Sequence, residues 1–390
     1  MRITDVRCHV LLAPNLDESL TSSAQDGFLV VIETDEGVTG IGETDVNPWI
    51  AHACVMAPGT HTMGQSLREM LLGEDPLDIA RLWRKLYVGS AMNGRRGAGI
   101  HAIGAIDAAL WDLRGKAEGV PVHQLLGGIK QTRVKPYASL QPAGDSFEEY
   151  RDSLVEWAVR AVSLGFRAVK TEVTMNGPYA HSGLHEPYER HTEVVAAVRA
   201  AIGPDIDLLV DVQYLWDDVA VALDTLREWE DFDLSFVETP LWTDDLDGYA
   251  RLADELPIRV AAGEWLATRY EFEDLMDRGK VAVAQPDIGR VGGLSEAMVV
   301  AGQAADRGLS LVPHCWKTGV SVAATAHFAF ANPHCEYIEY LPPQLCLETL
   351  RKELAEDGLV FEDGYIEPPT APGMGAVVDM EAVKRYEVEP

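Results

Sequence analysis

Seven residues of this chain place an ionisable side chain at or near the end of a short apolar run: Glu172, Asp211, Glu238, Glu264, Asp287, His314 and Glu339. After one longer gap they recur roughly every 25 residues, the length of one strand, one helix and two short loops. Asp211, Glu238 and Glu264 follow three consecutive runs. Brought to one point, three carboxylates would repel one another. Oxygen-only donors in that number suit a hard divalent cation, with Mg2+ the natural candidate. One such carboxylate alone reads as a surface group paired with arginine; three at consecutive run ends do not. Asp287 and His314 close the next two runs. An Asp beside a His orients the ring, fixes its tautomer and raises its basicity, which makes a general-base dyad. Lys170 precedes Glu172 by two residues, so strand alternation puts both on one side. Lysine is scarce here, nine against twenty-three arginines. Glu339 closes the last run, where it could touch a substrate opposite the metal.

These residues need a frame that delivers them to one place. Eight short β-like runs provide it: VKPYASL, FRAVKTEV, IDLLVDVQ, LSFVETP, IRVAAGE, VAVAQPD, SLVPHC and EYIEY. Amphipathic helical stretches, such as 146–164, 191–202 and 295–307, separate them. Continuous apolar runs rather than alternating ones point to buried parallel strands. A (β/α)8-type barrel is the simplest closure, and its active sites form where the strands end. The alternative is an open doubly wound sheet, but no GxGxxG follows a strand. The chain divides into residues 1–125, 126–356 and 357–390. The first part reads as a small sheet (6–12, then a hairpin of 28–32 and 38–41) followed by helices over 67–87 and 99–116, an α+β domain. The last part, rich in turns, Pro and Gly, is expected to pack back on the first.

Of the 390 residues 47% are hydrophobic and 24% charged, an ordinary globular composition that excludes disordered, collagen-like and coiled-coil classes. The net charge of −30 argues against nucleic acid and anionic membranes as partners. The five cysteines, Cys8, Cys54, Cys315, Cys335 and Cys346, lack CxxC spacing, so a reduced, cytoplasmic chain with no disulfide framework is expected. The first apolar run is too short for a signal peptide, and no run suits a membrane span. The glycine-rich stretch 289–293 lacks the Lys-Ser/Thr ending of a P-loop and reads as a turn into a helix. Trp216, Trp229 and Trp242 read as packing residues. The acidic runs 228–233 and 244–247 read as solvated faces, and His181, His185 and His191 as ordinary.

Together these features resemble the enolase superfamily, and within it the mandelate racemase/muconate lactonizing enzyme group. The likeness runs through the helix HAIGAIDAALWDLRGK, the VDVQ, VETP and AAGEW segments, QPDIGRVGG and VPHCWKTG. It implies an α/β fold: a modified (β/α)7β TIM-type barrel under an α+β capping domain formed by the N-terminal region and the C-terminal segment. It implies one Mg2+ on Asp211, Glu238 and Glu264, an Asp287–His314 dyad, and Glu339 as a hydrogen-bonding electrophile to a substrate carboxylate. The implied chemistry is abstraction of the proton α to a carboxylate. The family commonly ends the second strand Lys-x-Lys; here Lys170 is followed by Glu172, and a carboxylate beside Mg2+ is a weak base. Gln213 stands where Asn often follows the first ligand. One surviving His base points to an acid sugar dehydratase, a lyase giving a 2-keto-3-deoxy acid. An epimerase, racemase or cycloisomerase and a catalytically silent homologue are the alternatives. Gln213, Arg95 and Trp316 are expected to contact substrate, with Arg96 and the loops 15–26 and 47–60 as further candidates. A homo-oligomer, dimer to octamer, is expected.

Overall fold

The fold is a computed structural model describing residues 1–17, 23–181 and 183–390. Residues 18–22, in the middle of the loop 15–26, lie outside the described residues. Three antiparallel strands open the chain: β1 (Ile3–Leu12), β2 (Asp26–Thr34) and β3 (Thr39–Thr44). The helix Ala98–Glu118 lies directly across β3. Gly40 and Gly42 permit this approach, because a Cβ on either would sit 2.0 Å or 1.9 Å from the carbonyl oxygens of Ala109 and Ala105. The continuous helix expected over 67–87 is instead two, Leu67–Leu71 and Ile79–Gly89. Gly73 between them takes a left-handed φ of 77°, and Pro76 lacks an amide donor, so the helix cannot run through.

The eight runs form β4 (Lys135–Leu140), β5 (Ala168–Glu172), β6 (Asp207–Asp211), β7 (Leu234–Glu238), β8 (Val260–Ala262), β9 (Val283–Ala284), β10 (Ser310–Leu311) and β11 (Tyr337–Tyr340). All pair in parallel, in the order β10-β9-β8-β7-β6-β5-β4-β11. The Leu311 amide donates to His334 O and the Glu336 amide to Leu311 O, both at 3.0 Å, so β10 meets the approach to β11 and the sheet closes into a barrel.

Strand alternation explains the barrel's two layers of side chains. Tyr137, Ala168, Leu209, Phe236, Ala261, Val283, Val312 and Tyr337 form one apolar cluster. Two residues further along the same faces stand Ser139, Lys170, Asp211, Glu238 and Glu339. Residues of opposite parity, such as Val169, Val210 and Val237, join the larger core that includes the surrounding helices. At the C-terminus, helix Met380–Tyr386 leads back to β1, where the Val388 amide donates to Val10 O at 2.9 Å. Among the described residues no helix is long and apolar enough to cross a membrane.

Two buried histidines tie stability to pH. Burial lowers His191 to about 4 and His327 to about 3. Both lie below the unfolded value of about 6.5, so their contribution is complete above that pH and is lost as pH falls toward the folded values. For His327 the loss at pH 4.5 is about 2–3 kcal/mol. Buried Asp107, raised to about 7 by burial, titrates with the opposite sign, so the test is a difference. Urea unfolding at pH 7 and pH 4.5 should show wild type losing about 2–3 kcal/mol more than His327→Gln. Equal losses in both proteins would contradict this account.

Candidate active site

The charged layer lies at the mouth formed by the C-terminal strand ends. Glu172 pairs in register with Asp211, and Asp211 with Glu238, so three carboxylates sit side by side on β5, β6 and β7. Glu264 follows β8 after Gly263, whose φ of 127° turns the chain over the mouth. Asp287 follows β9 and caps the short helix Ile288–Val291, accepting from the Arg290 amide at 3.0 Å. His314 follows β10. A cavity of about 220 Å3 opens here, lined by Lys170, Glu172, Asp211, Glu264, His314 and Glu339 among others. Glu238 is fully buried.

The histidine is held from two sides. Its Nδ1 lies 2.7 Å from Asp287 Oδ2, and its Nε2 lies 3.2 Å from Glu264 Oε2 and 3.9 Å from Glu339 Oε2. Burial alone would lower its pKa. The charges of Glu339 and Glu264 and the bond to Asp287 prevail over burial and over Arg290 and raise it to about 9. Lys170 Nζ stands 2.8 Å from Glu238 Oε1, 3.1 Å from Glu339 Oε1 and 3.5 Å from Asp211 Oδ2. Glu339 accepts the Cys315 amide at 2.7 Å. Burial opposes its ionisation, but Lys170 and then His314 hold it down at about 2, so in this charge state it accepts hydrogen bonds rather than donates them.

The remaining carboxylates are pushed the other way. Burial, then the Asp211 charge, raises Glu172 to about 8; Thr174 Oγ1 donates to its Oε1 at 3.0 Å. Burial raises Glu238 to about 8 against the pull of Lys170, and burial raises Glu264. Among the described residues, no three His, Cys, Asp or Glu side chains are already gathered as a metal-holding group. The donor set nonetheless fits a hard cation. It is all oxygen, its negative charges stand close in a low-polarity setting, and Glu238 Oε2 is buried with no hydrogen-bond partner.

Gln213 and Trp316 also line the cavity; Arg95 is exposed and is not among its lining residues, while Arg96 pairs outside with Glu271 at 3.3 Å. The glycine-rich stretch 289–293 starts within the short helix Ile288–Val291, and only Gly292 and Gly293 make the expected turn into the helix Leu294–Asp306; its arginine belongs to the site, which the sequence reading missed. Arg290 lines the cavity, donates to the Glu264 carbonyl at 3.3 Å and carboxylate at 3.5 Å, and pairs with Asp45 of the capping domain. Its place three residues after Asp287 was the available signal. Tyr179, Tyr214 and Trp265 line the cavity too, two of them close behind Asp211 and Glu264 in sequence.

Comparison with known proteins identifies the family. Residues 4–127 match the mandelate racemase / muconate lactonizing enzyme N-terminal domain, and residues 153–383 the enolase C-terminal domain-like family. A D-galactarolactone cycloisomerase of Agrobacterium fabrum is 31% identical, with 100% of this chain and 99% of that protein covered. An arabinonate dehydratase of Saccharolobus solfataricus is 30% identical, with 99% of each covered. A D-galactonate dehydratase of Ralstonia nicotianae is 32% identical over 89% of this chain and 87% of its own. Among solved structures, the 3,6-anhydro-D-galactonate cycloisomerase from Zobellia galactanivorans superposes with a TM-score of 0.86 at 30% identity, both chains fully covered. A racemase from Streptomyces coelicolor with bound magnesium gives 0.83 at 29%, with 99% of this chain and 100% of that one covered. The chain therefore belongs to the mandelate racemase/muconate lactonizing enzyme group of the enolase superfamily. The dehydratases among these relatives are named for a hydro-lyase reaction, consistent with a lyase.

Arg290 yields a stability prediction. Removing one partner of a buried ion pair leaves the other uncompensated, at about 3–5 kcal/mol. Arg290→Met should lose about that much in urea unfolding, and Asp45→Asn in the same chain should recover part of it. Strict additivity of the two losses would show that the pair is not coupled.

Proposed function

We propose that the protein abstracts the proton α to the carboxylate of an aldonic or aldaric acid and expels the β-hydroxyl, forming a 2-keto-3-deoxy acid. The observation that carries this reading is the pairing of one Asp287–His314 dyad with a carboxylate, Glu172, where a second base would stand. Racemisation by two bases on opposite faces needs that second base; elimination does not.

His314 is the acid–base residue, and it acts as base only once it has lost the proton that Glu339 and Glu264 hold on it. Asp287 accepts its Nδ1–H, which leaves Nε2 as the atom that exchanges a proton with the substrate. The α-proton is very weakly acidic; a gap of about 15–20 pK units to a histidine is roughly 20–27 kcal/mol. Asp211, Glu238 and Glu264 would hold Mg2+, which supplies charge stabilisation to the enolised carboxylate when bound. Lys170, almost fully buried at the cavity wall, adds a fixed positive charge toward the same carboxylate. Glu172 orients a substrate hydroxyl. His314, protonated by the abstraction, gives the proton to the departing β-hydroxyl, which leaves as water as the C2–C3 double bond forms, and the resulting enol tautomerises to the 2-keto-3-deoxy acid. The overall charge of −30 repels an anionic substrate, but salt screens that repulsion beyond about 8 Å, so the charges lining the site dominate locally.

The full-length likeness to a cycloisomerase favours a second reading, in which the first step is the same but no water is lost. Incubation with Mg2+ and a panel of aldonic and aldaric acids and their lactones separates the two. A 2-keto-3-deoxy product lighter by one water supports dehydration, whereas an isomeric product supports cycloisomerisation. His314→Asn should lower kcat by about 10³-fold or more with little change in KM; retained turnover would remove His314 from its role. Calorimetry should find one Mg2+ site, weakened at least about tenfold in Glu238→Gln. Absence of Mg2+ binding would instead support a silent homologue.

A further inference from the structure

Two cavities share the segment that follows His314. Trp316 lines the active-site cavity, while Lys317, Thr318 and Gly319 line a second one of about 40 Å3. Much of the remaining lining comes from the chain after β11, including Cys346, Arg351, Lys352 and Asp357. None of these four belongs to the acid–base or metal-binding residues described above.

Arg351 lies in the helix Thr349–Leu354 and is only 6% exposed. Its Cζ stands 4.6 Å from the centre of the Trp316 ring, a cation–π contact. Both of its terminal nitrogens are buried, and neither has a hydrogen-bond partner among the described residues. A guanidinium is always charged, and its planar fork matches an oxyanion through two parallel N–H groups. Burying that fork without an acceptor costs more than an indole face returns.

The neighbouring acids are engaged elsewhere. Asp357 accepts the Leu359 amide at 2.9 Å and the Tyr340 hydroxyl. Asp26 and Asp45 pair with Lys317, and Glu43 is bound by Thr318 and Ser321. Glu353, two residues beyond Arg351, pairs with Arg385 at 3.1 Å. Exposed Lys352 adds a further positive charge to the cavity, in a chain whose net charge is −30. By the same measure of volume a water needs about 10–15 Å3, so this space suits two or three water-sized groups and not a sugar acid. Asp357 leaves one negative charge in the lining, which favours a monoanion over a dianion.

We propose that Arg351 anchors a second ligand site, separate from the barrel mouth, which takes a small monovalent carboxylate held by both terminal nitrogens. Through the contact of Arg351 with Trp316, its occupancy is felt at the wall of the active-site cavity.

Formate is the probe, titrated by calorimetry into the Mg2+-free protein at constant ionic strength, with a bulky sulfonate as the balancing anion. Wild type should bind formate at one site with a millimolar Kd. Arg351→Gln should weaken that binding at least about tenfold, and Arg351→Lys by less, since the charge stays but the fork is lost. Cys346→Met keeps the arginine and fills the cavity, so it should also weaken binding at least about tenfold. No formate binding below about 100 mM in wild type, or full binding retained in either Arg351→Gln or Cys346→Met, overturns the site. Should Arg351→Gln fail to fold, Cys346→Met decides alone by the same two outcomes. Formate should also change the indole fluorescence of wild type, and the change should vanish in Trp316→Phe. No change, or one that persists in Trp316→Phe, overturns the link to the active-site wall.

Discussion

The constraint on which the site depends is the crowding of buried negative charge at one end of the barrel. Glu172, Asp211, Glu238, Glu264, Asp287 and Glu339 all reach the same mouth, each less than a tenth exposed. Lys170, Arg290 and His314 stand against them there. Raised carboxyls at Glu172, Glu238 and Glu264, a raised imidazole at His314 and a depressed carboxyl at Glu339 are expressions of one imbalance. A protein gains no stability from such an arrangement, since hydrophobic residues of similar volume serve a fold at least as well. The barrel tolerates it because the apolar layer beneath, from Tyr137 round to Tyr337, carries the packing.

That division explains how much was legible in the sequence. The apolar runs are continuous because parallel strands are buried on both faces, and their spacing reports the crossover helices. Ionisable residues at seven run ends could not be packing residues, so Asp211, Glu238, Glu264, Asp287 and His314 stood out by type and place. Arg290 did not, because it lies in a glycine-rich turn and acts on Glu264 through space. Trp265 and Tyr214 did not, because an aromatic residue after a strand looks the same whether it packs or lines a cavity. The break at Gly73 was readable in principle, but the apolar period on either side hid it.

The capping domain is joined to the mouth by polar contacts as specific as those of the site. Glu43 accepts hydrogen bonds from the amides and hydroxyls of both Thr318 and Ser321. Thr44 donates to Gly289 O at 2.7 Å, and Ser295 donates from its amide and hydroxyl to Asp107. Lys317, just after the His314 loop, pairs with Asp26 and Asp45. Arg290 belongs to both sets, touching Asp45 on one side and Glu264 on the other. The position of a proposed metal ligand is thus coupled to the seating of the cap through Asp45 and Arg290.

Glu172 shows why acid–base residues alone do not decide the reaction. A single dyad supports proton abstraction from one face, and every elimination reading of this site begins with that step. The second step depends on which β-oxygen lies in line with the developing electron pair. For an open acid that oxygen is a hydroxyl and leaves as water. For a ring it can be the ring oxygen, and the product is an isomer. The residues able to choose between these are therefore not the dyad or the carboxylates but the others that line the cavity, among them Trp265, Tyr214 and Tyr179. Under the proposed chemistry, dehydration and ring opening would use the same catalytic layer and differ in how the substrate lies in a cavity of about 220 Å3.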